Sequence, residues 1–231
     1  MILKLLWPEI CPFCGRLNRN GICPACKIKL KELIIGQPRC MKCGKPIGRM
    51  EKEYCPDCDD TIHYYDVGRA LWIHKSPVNE SIYQFKYHNQ REFGKYYAKE
   101  MAKQFESIVC EWKPDVIIPV PLHFRRKRKR GYNQSQIIAE KLGEILDIPV
   151  DGTILKRVKY TNPQKKLDHN ARRKNLHNAF RVAENRKGIK RVLLVDDIYT
   201  TGNTIDEAAR KLKQAGVEKV YFLTVSIGQG H

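Results

Sequence analysis

The 13 residues from 192 to 204, Val-Leu-Leu-Val-Asp-Asp-Ile-Tyr-Thr-Thr-Gly-Asn-Thr, set two adjacent carboxylates, Asp196 and Asp197, between an apolar run and a hydroxyl-bearing turn. The carboxylates can accept hydrogen bonds from sugar hydroxyls. Thr200, Thr201, Gly202, Asn203 and Thr204 supply hydroxyls, open amides and a residue without Cβ where a helix begins, the arrangement that holds a phosphate dianion. The expected ligand is a sugar phosphate.

A second chemistry occupies the first quarter of the chain. Eight of nine cysteines form four Cys-x-x-Cys pairs: Cys11 with Cys14, Cys23 with Cys26, Cys40 with Cys43, and Cys55 with Cys58. Each pair aims two thiolates at one point, and two pairs close a tetrahedral site, so the count predicts two structural zinc ions with no open position. Sequence order favours Cys11/Cys14 with Cys23/Cys26 and Cys40/Cys43 with Cys55/Cys58; spacing alone leaves the crossed pairing open. Disulfides are disfavoured because the opening apolar run is broken by Lys4 and Pro8, too short for a secretory signal. A single redox pair would need a βαβ setting, not four pairs in tandem. Cys110 is left over and expected in the core.

Charge supplies the third signal. The net charge is +18, and residues 123 to 191 hold 20 Lys and Arg against 6 Asp and Glu. Thiolates and zinc would lower the total only in the N-terminal part. Such a field attracts polyanions, which makes nucleic acid an expected partner, with Tyr132 and Tyr160 as candidate stacking platforms.

The elements that must position these groups are readable from hydrophobic pattern. Val192 to Val195 lacks alternation, as a strand covered on both faces would, and ligands of parallel sheets bind beyond the strand's carboxyl end. Ile205, Ala208, Ala209, Leu212 and Ala215 share one face of the following helix, which Gly216 ends. Val116 to Val120 is a second strand, and the basic run Arg125 to Arg130 is expected as a loop on the same side of the sheet as Asp196. Tyr83, Phe85, Tyr87, Phe93, Tyr96, Tyr97 and Phe105 are expected to pack a helix onto the sheet. Lys156 to Phe180, with Asn162-Pro163-Gln164 and Arg172-Arg173, reads as a long loop. The histidines have no ligand spacing with the cysteines. The chain divides near residues 60 to 66, into a zinc module at 1–65 and an α/β domain at 66–231. With no apolar stretch long enough to span a bilayer, a cytoplasmic location and no membrane insertion are expected.

The apolar-acid-acid-threonine-glycine pattern resembles the phosphoribosyl pyrophosphate (PRPP) motif of type I phosphoribosyltransferases. Four Cys-x-x-Cys pairs, Phe85-Lys86-Tyr87, Pro119-Val-Pro-Leu122, Arg130-Gly-Tyr-Asn-Gln134, Gln164, and Arg172 to Phe180 extend the similarity to the ComF (ComFC) competence proteins over nearly the whole chain. The resemblance implies a type I phosphoribosyltransferase-like parallel sheet flanked by helices behind a double zinc ribbon. It implies that Asp196 and Asp197 hold the ribose 2′ and 3′ hydroxyls, that residues 200 to 204 hold the 5′-phosphate, and that Mg²⁺ accompanies PRPP. Arg125, Arg126, Arg130, Arg172 and Arg173 would face pyrophosphate or DNA. The expected role lies in DNA uptake, handling single-stranded DNA. A transferase with an unknown acceptor and a zinc-module adaptor for a helicase partner are the alternatives. No cysteine at position 2 stands ready for glutamine hydrolysis, since residue 2 is Ile.

Overall fold

The apolar run at 192–195 becomes the spine of a parallel sheet. The computed structural model describes residues 9–18, 21–48, 51–160, 176–183 and 188–228. The elements are α1 (Pro24–Leu33), α2 (Pro56–Asp59), β1 (Val67–Ile73), α3 (Val78–Tyr87), α4 (Phe93–Trp112), β2 (Val116–Pro119), α5 (Phe124–Arg130), α6 (Gln134–Leu146), β3 (Leu155–Arg157), β4 (Phe180–Val182), β5 (Arg191–Tyr199), α7 (Asn203–Gln214) and β6 (Lys219–Ile227). The main sheet has the order β1-β6-β5-β2 with every pairing parallel; β3 and β4 form a separate antiparallel pair. No described helix is long and apolar enough to cross a membrane.

Helices cover both faces, which explains the unbroken apolar strands. Leu193 and Val195 face a core with Phe85, Phe93, Tyr97 and Met101, whereas Val192 and Leu194 face one with Ile205, Ala208, Ala209 and Leu212. Burying Ile205 and Leu212 contributes about 1.5–3 kcal/mol each, enough to dock α7 under the turn that precedes it.

The cysteine-rich segment straddles the sheet edge at β1. Cys11, Phe13 and Cys26 join the first core, with Phe13 edge-on to Trp72 at 5.3 Å; Cys40, Cys43 and Cys55 join the second. Between them Ile34 bridges Trp72 antiparallel, so the linker between the two cysteine groups covers part of the exposed edge of β1.

Four expectations need correction. The basic run is a helix, α5: the His123 side chain accepts from the Arg125 backbone N–H, and Gly131, at φ 80°, closes the other end. Cys110 is exposed, because Val109 and Trp112 take the buried face of α4. Tyr132 is buried at 6 % exposure, its hydroxyl donating to the Phe85 carbonyl, and so offers no ring to a base. Of the aromatic group, Phe85, Phe93, Tyr97 and Phe105 are buried, but Tyr83 and Tyr87 point to solvent.

Candidate functional site

Asp196 and Asp197 stand at a step in the sheet. The Val120 N–H donates to the Val195 carbonyl at 2.9 Å, and beyond it β2 no longer pairs, whereas β5 continues beside β6 through Tyr199. The acids therefore lie within β5, not past its end, at a notch that the departure of β2 leaves on one side. Neighbouring strand residues normally point to opposite faces. Here the backbone N–H of Asp197 donates to Asp196 Oδ1 at 2.9 Å and holds that carboxylate close.

Two long-range bonds complete the notch. Ser135, in the first turn of α6, donates to Asp196 Oδ1 at 2.7 Å. Lys86, in the last turn of α3, donates to Asp197 Oδ1 at 2.8 Å. The Asp196 carboxyl is pushed up to about 7, by burial first and then by the Asp197 charge, while Ser135 and Lys86 pull the other way. Behind Lys86, His74 is held below its ordinary value, chiefly by burial and then by the ammonium; its Nδ1 lies 2.9 Å from Ser226 Oγ.

The turn is prepared for an anion. Gly202, at φ 75°, is the N-cap of α7, so no threonine hydroxyl is used in capping. A Cβ there would collide with the Tyr199 hydroxyl. Thr200 is exposed, Thr201, Asn203 and Thr204 are half-buried, and the buried Asn203 Nδ2 has no hydrogen-bond partner among the described residues. The first amides of a helix lack intrahelical acceptors, which leaves those of α7 open to a phosphate.

Further cations lie beyond the notch. Burial draws Arg157 down to about 10; Arg126 adds to that shift and Asp196 opposes it, so Arg157 feels both the acid pair and the basic helix. Arg125 sits 5.6 Å over the Tyr160 ring and Arg126 5.8 Å over it, beside Phe124, which is 65 % exposed. At the other end of α5, Arg130 lies 4.9 Å over the exposed Tyr87 ring and bonds Gln134 Oε1 at 3.0 Å. Arg172 and Arg173, like Asn162-Pro163-Gln164, lie outside the described residues.

The cysteine sulfurs form two quartets in sequential order, Cys11/Cys14/Cys23/Cys26 and Cys40/Cys43/Cys55/Cys58, each within 4.8 Å of its fellows. Tetrahedral Zn–S bonds of about 2.3 Å put sulfurs about 3.8 Å apart. Cys14 and Cys23 are 3.7 Å apart, and Cys43 and Cys55 are 3.6 Å apart. Burial pushes the Cys26 thiol far up, whereas the Cys26 backbone N–H draws Cys23 down to about 7. Four neighbouring thiolates need a cation among them, and both quartets fit zinc.

Sequence reading missed Lys86 as a site residue, although its placement between Phe85 and Tyr87 marked it. It also missed Ser135, Arg157 and Tyr65. Tyr65 lies two residues before β1 and reaches the site through Tyr199.

Comparison with known proteins agrees with this architecture. The model of the double zinc ribbon domain matches residues 2–59, and that of the phosphoribosyl transferase domain matches residues 86–228. Competence protein F of Haemophilus influenzae is 35% identical over 88% of this chain and 89% of that protein. DNA utilization protein YhgH of Escherichia coli (strain K12) is 29% identical, covering 91% and 87%. Competence protein ComFC of Bacillus subtilis (strain 168) is 26% identical, covering 84% and 79%. Among solved structures, purine phosphoribosyltransferase from Pyrococcus horikoshii Ot3 covers 58% of this chain and 84% of that one, at 19% identity and a TM-score of 0.37. A double zinc ribbon followed by a phosphoribosyltransferase-type domain, in a chain that aligns with Competence protein F over most of both lengths, places this protein in the ComF family.

Proposed function

We propose that the protein handles DNA in the cytoplasm during natural transformation, with a notch that binds PRPP or a related sugar phosphate and a basic face that holds single-stranded DNA. The names of its relatives, Competence protein F and DNA utilization protein YhgH, support the first part. The observation that carries the second is the continuity of the two surfaces. Ser135 on Asp196 and Arg130 on Gln134 put the floor of the notch and the end of α5 on the same turn of chain.

In this reading Asp196 and Asp197 accept hydrogen bonds from the ribose hydroxyls, and residues 200 to 204 hold the 5′-phosphate. Mg²⁺ would accompany the pyrophosphate, where its charge is needed. Helix α5 and Tyr160 present guanidinium groups and exposed rings, which suit a phosphate backbone and unstacked bases.

Calorimetry with PRPP and Mg²⁺ tests the sugar site, comparing the wild type with an Asp196→Asn, Asp197→Asn double variant. Binding that the variant loses supports it; no binding by the folded, zinc-loaded wild type removes it. A second reading, transfer of the phosphoribosyl group to an unidentified acceptor, draws support from Arg157, whose charge, felt by Asp196 and backed by Arg126, suits departing pyrophosphate. Release of pyrophosphate in an acceptor screen separates the two readings.

A further inference from the structure

Two carboxylates side by side in a partly buried notch need a countercharge, and a divalent ion bound directly to them is one solution. This chain carries another. Lys86 Nζ bonds Asp197 Oδ1 at 2.8 Å, with the side chains only 16 % and 11 % exposed. Lys86 is not a swinging surface lysine. Its neighbour Phe85 is fully buried, 5.3 Å from Tyr97, and the Phe85 carbonyl takes the Tyr132 hydroxyl, so the end of α3 is fixed at the notch.

The remaining acceptors have a specific shape. Asp196 Oδ1 is taken by Ser135 and by the Asp197 amide, and Asp197 Oδ1 is taken by Lys86. Among the described residues neither Oδ2 atom receives a hydrogen bond. Two acceptors are thus left for two sugar hydroxyls, while the ammonium already supplies positive charge that a divalent ion on the pair would bring. With Lys86 in place, the acid pair does not depend on a directly bound metal for its countercharge.

We propose that Lys86 is the built-in counter-ion of the acid pair, so that the sugar half of the site engages a vicinal-diol sugar phosphate with no divalent ion on its carboxylates. This rests on the sugar-phosphate reading of the notch and deepens it. Any Mg²⁺ requirement of PRPP then belongs to its pyrophosphate, and a ligand without pyrophosphate binds independently of Mg²⁺. Lys86 acts through Asp197 and is a positioning residue.

The test is calorimetry of ribose 5-phosphate on the full-length, zinc-loaded protein, without and with added Mg²⁺ and without chelator, which would strip the zinc. The wild type binds equally in both conditions. Lys86→Met leaves the pair uncompensated and weakens binding about tenfold or more without Mg²⁺. Added Mg²⁺ restores the variant, and Lys86→Arg, which keeps the cation, behaves as wild type in both buffers. A purely structural lysine would give a loss that Mg²⁺ does not repair. That outcome in a folded variant holding both zinc ions overturns the proposal, as does unchanged binding by Lys86→Met. A wild type that needs Mg²⁺ for ribose 5-phosphate also overturns it, yet leaves the sugar site standing. A wild type that binds neither ribose 5-phosphate nor PRPP removes the sugar site itself.

Discussion

The hydroxyls of Tyr65 and Tyr199 lie 2.8 Å apart, fully enclosed, and join the second cysteine quartet to the turn at residues 200 to 204. Cys58 Sγ is 3.8 Å from the Tyr65 hydroxyl on one side; on the other, the Tyr199 hydroxyl occupies the space that a Cβ at Gly202 would need. Beside this pair the Tyr64 backbone N–H donates to Asp206 Oδ1 at 2.6 Å, fastening the same segment to the first turn of α7. The ribbon is therefore part of the scaffold of the turn.

Removing the Tyr65 hydroxyl strands that of Tyr199 in the core, and removing that of Tyr199 leaves Tyr65 only the Cys58 sulfur. Tyr65→Phe and Tyr199→Phe each cost about 1–3 kcal/mol, measured by denaturant unfolding with zinc bound. The double variant costs less than the sum of the two, because the second deletion removes a group already unpaired. Full additivity would show that the hydroxyls do not act as a pair.

Asp196 titrates near 7 in the folded chain against an ordinary value of 3.8. Between those values the folded protein keeps a proton that the unfolded chain has lost. The group thus favours folding below about pH 4, and this contribution is lost as pH rises towards about 7. Wild-type stability should fall relative to Asp196→Asn across that window and run parallel to it above. One group cannot exceed about 1.4 kcal/mol per pH unit, and the open side of the notch screens it below that ceiling. Parallel curves throughout would mean that Asp196 ionises as an ordinary carboxylate.

The two zinc sites differ in access. Cys14 is exposed and Cys23 half-buried, whereas Cys40, Cys43 and Cys55 are at most 1 % exposed. A chelator should release zinc in two phases, the first from the quartet of Cys11, Cys14, Cys23 and Cys26. Cys14→Ser removes the fast phase and leaves the slow one. Only loss of the second ion, whose Cys58 ligand meets the Tyr65 hydroxyl and through it Tyr199, should weaken sugar-phosphate binding. Release of both ions in one phase would show the two ribbons opening together.

The difference between what sequence reading reached and what it missed is one of range. Strand, acid pair, turn and helix at 192–214 are contiguous, so local pattern suffices to read them, and Cys-x-x-Cys spacing is local too. Lys86 and Asp197 are 111 positions apart, and Ser135 and Asp196 are 61 apart. No periodicity connects them; only the return of α3 and α6 to the notch does. Helix α5 was missed for another reason, because six cations in a row mask the capping that His123 and Gly131 provide.

That helix carries the last prediction. Its seven residues span about 10 Å, with a cation–ring cluster at each end: Phe124, Tyr160, Arg125 and Arg126 at one, Tyr87 and Arg130 at the other. Charge and stacking leave different signatures in binding to a single strand. Each phosphate left without its cation lowers the slope of log affinity against log salt by about 0.7, so Arg125→Ala with Arg130→Ala should flatten it by about 1.4. Phe124→Ala or Tyr160→Ala should cost about 1–3 kcal/mol for each base unstacked and leave the slope unchanged. Titrating a fluorescent oligonucleotide at several salt concentrations reads both quantities in one experiment. If the arginine variant keeps the wild-type slope, DNA lies elsewhere on the basic surface. If the ring variants lose slope rather than affinity, the rings only brace the guanidinium groups, and the strand is held by its phosphates alone.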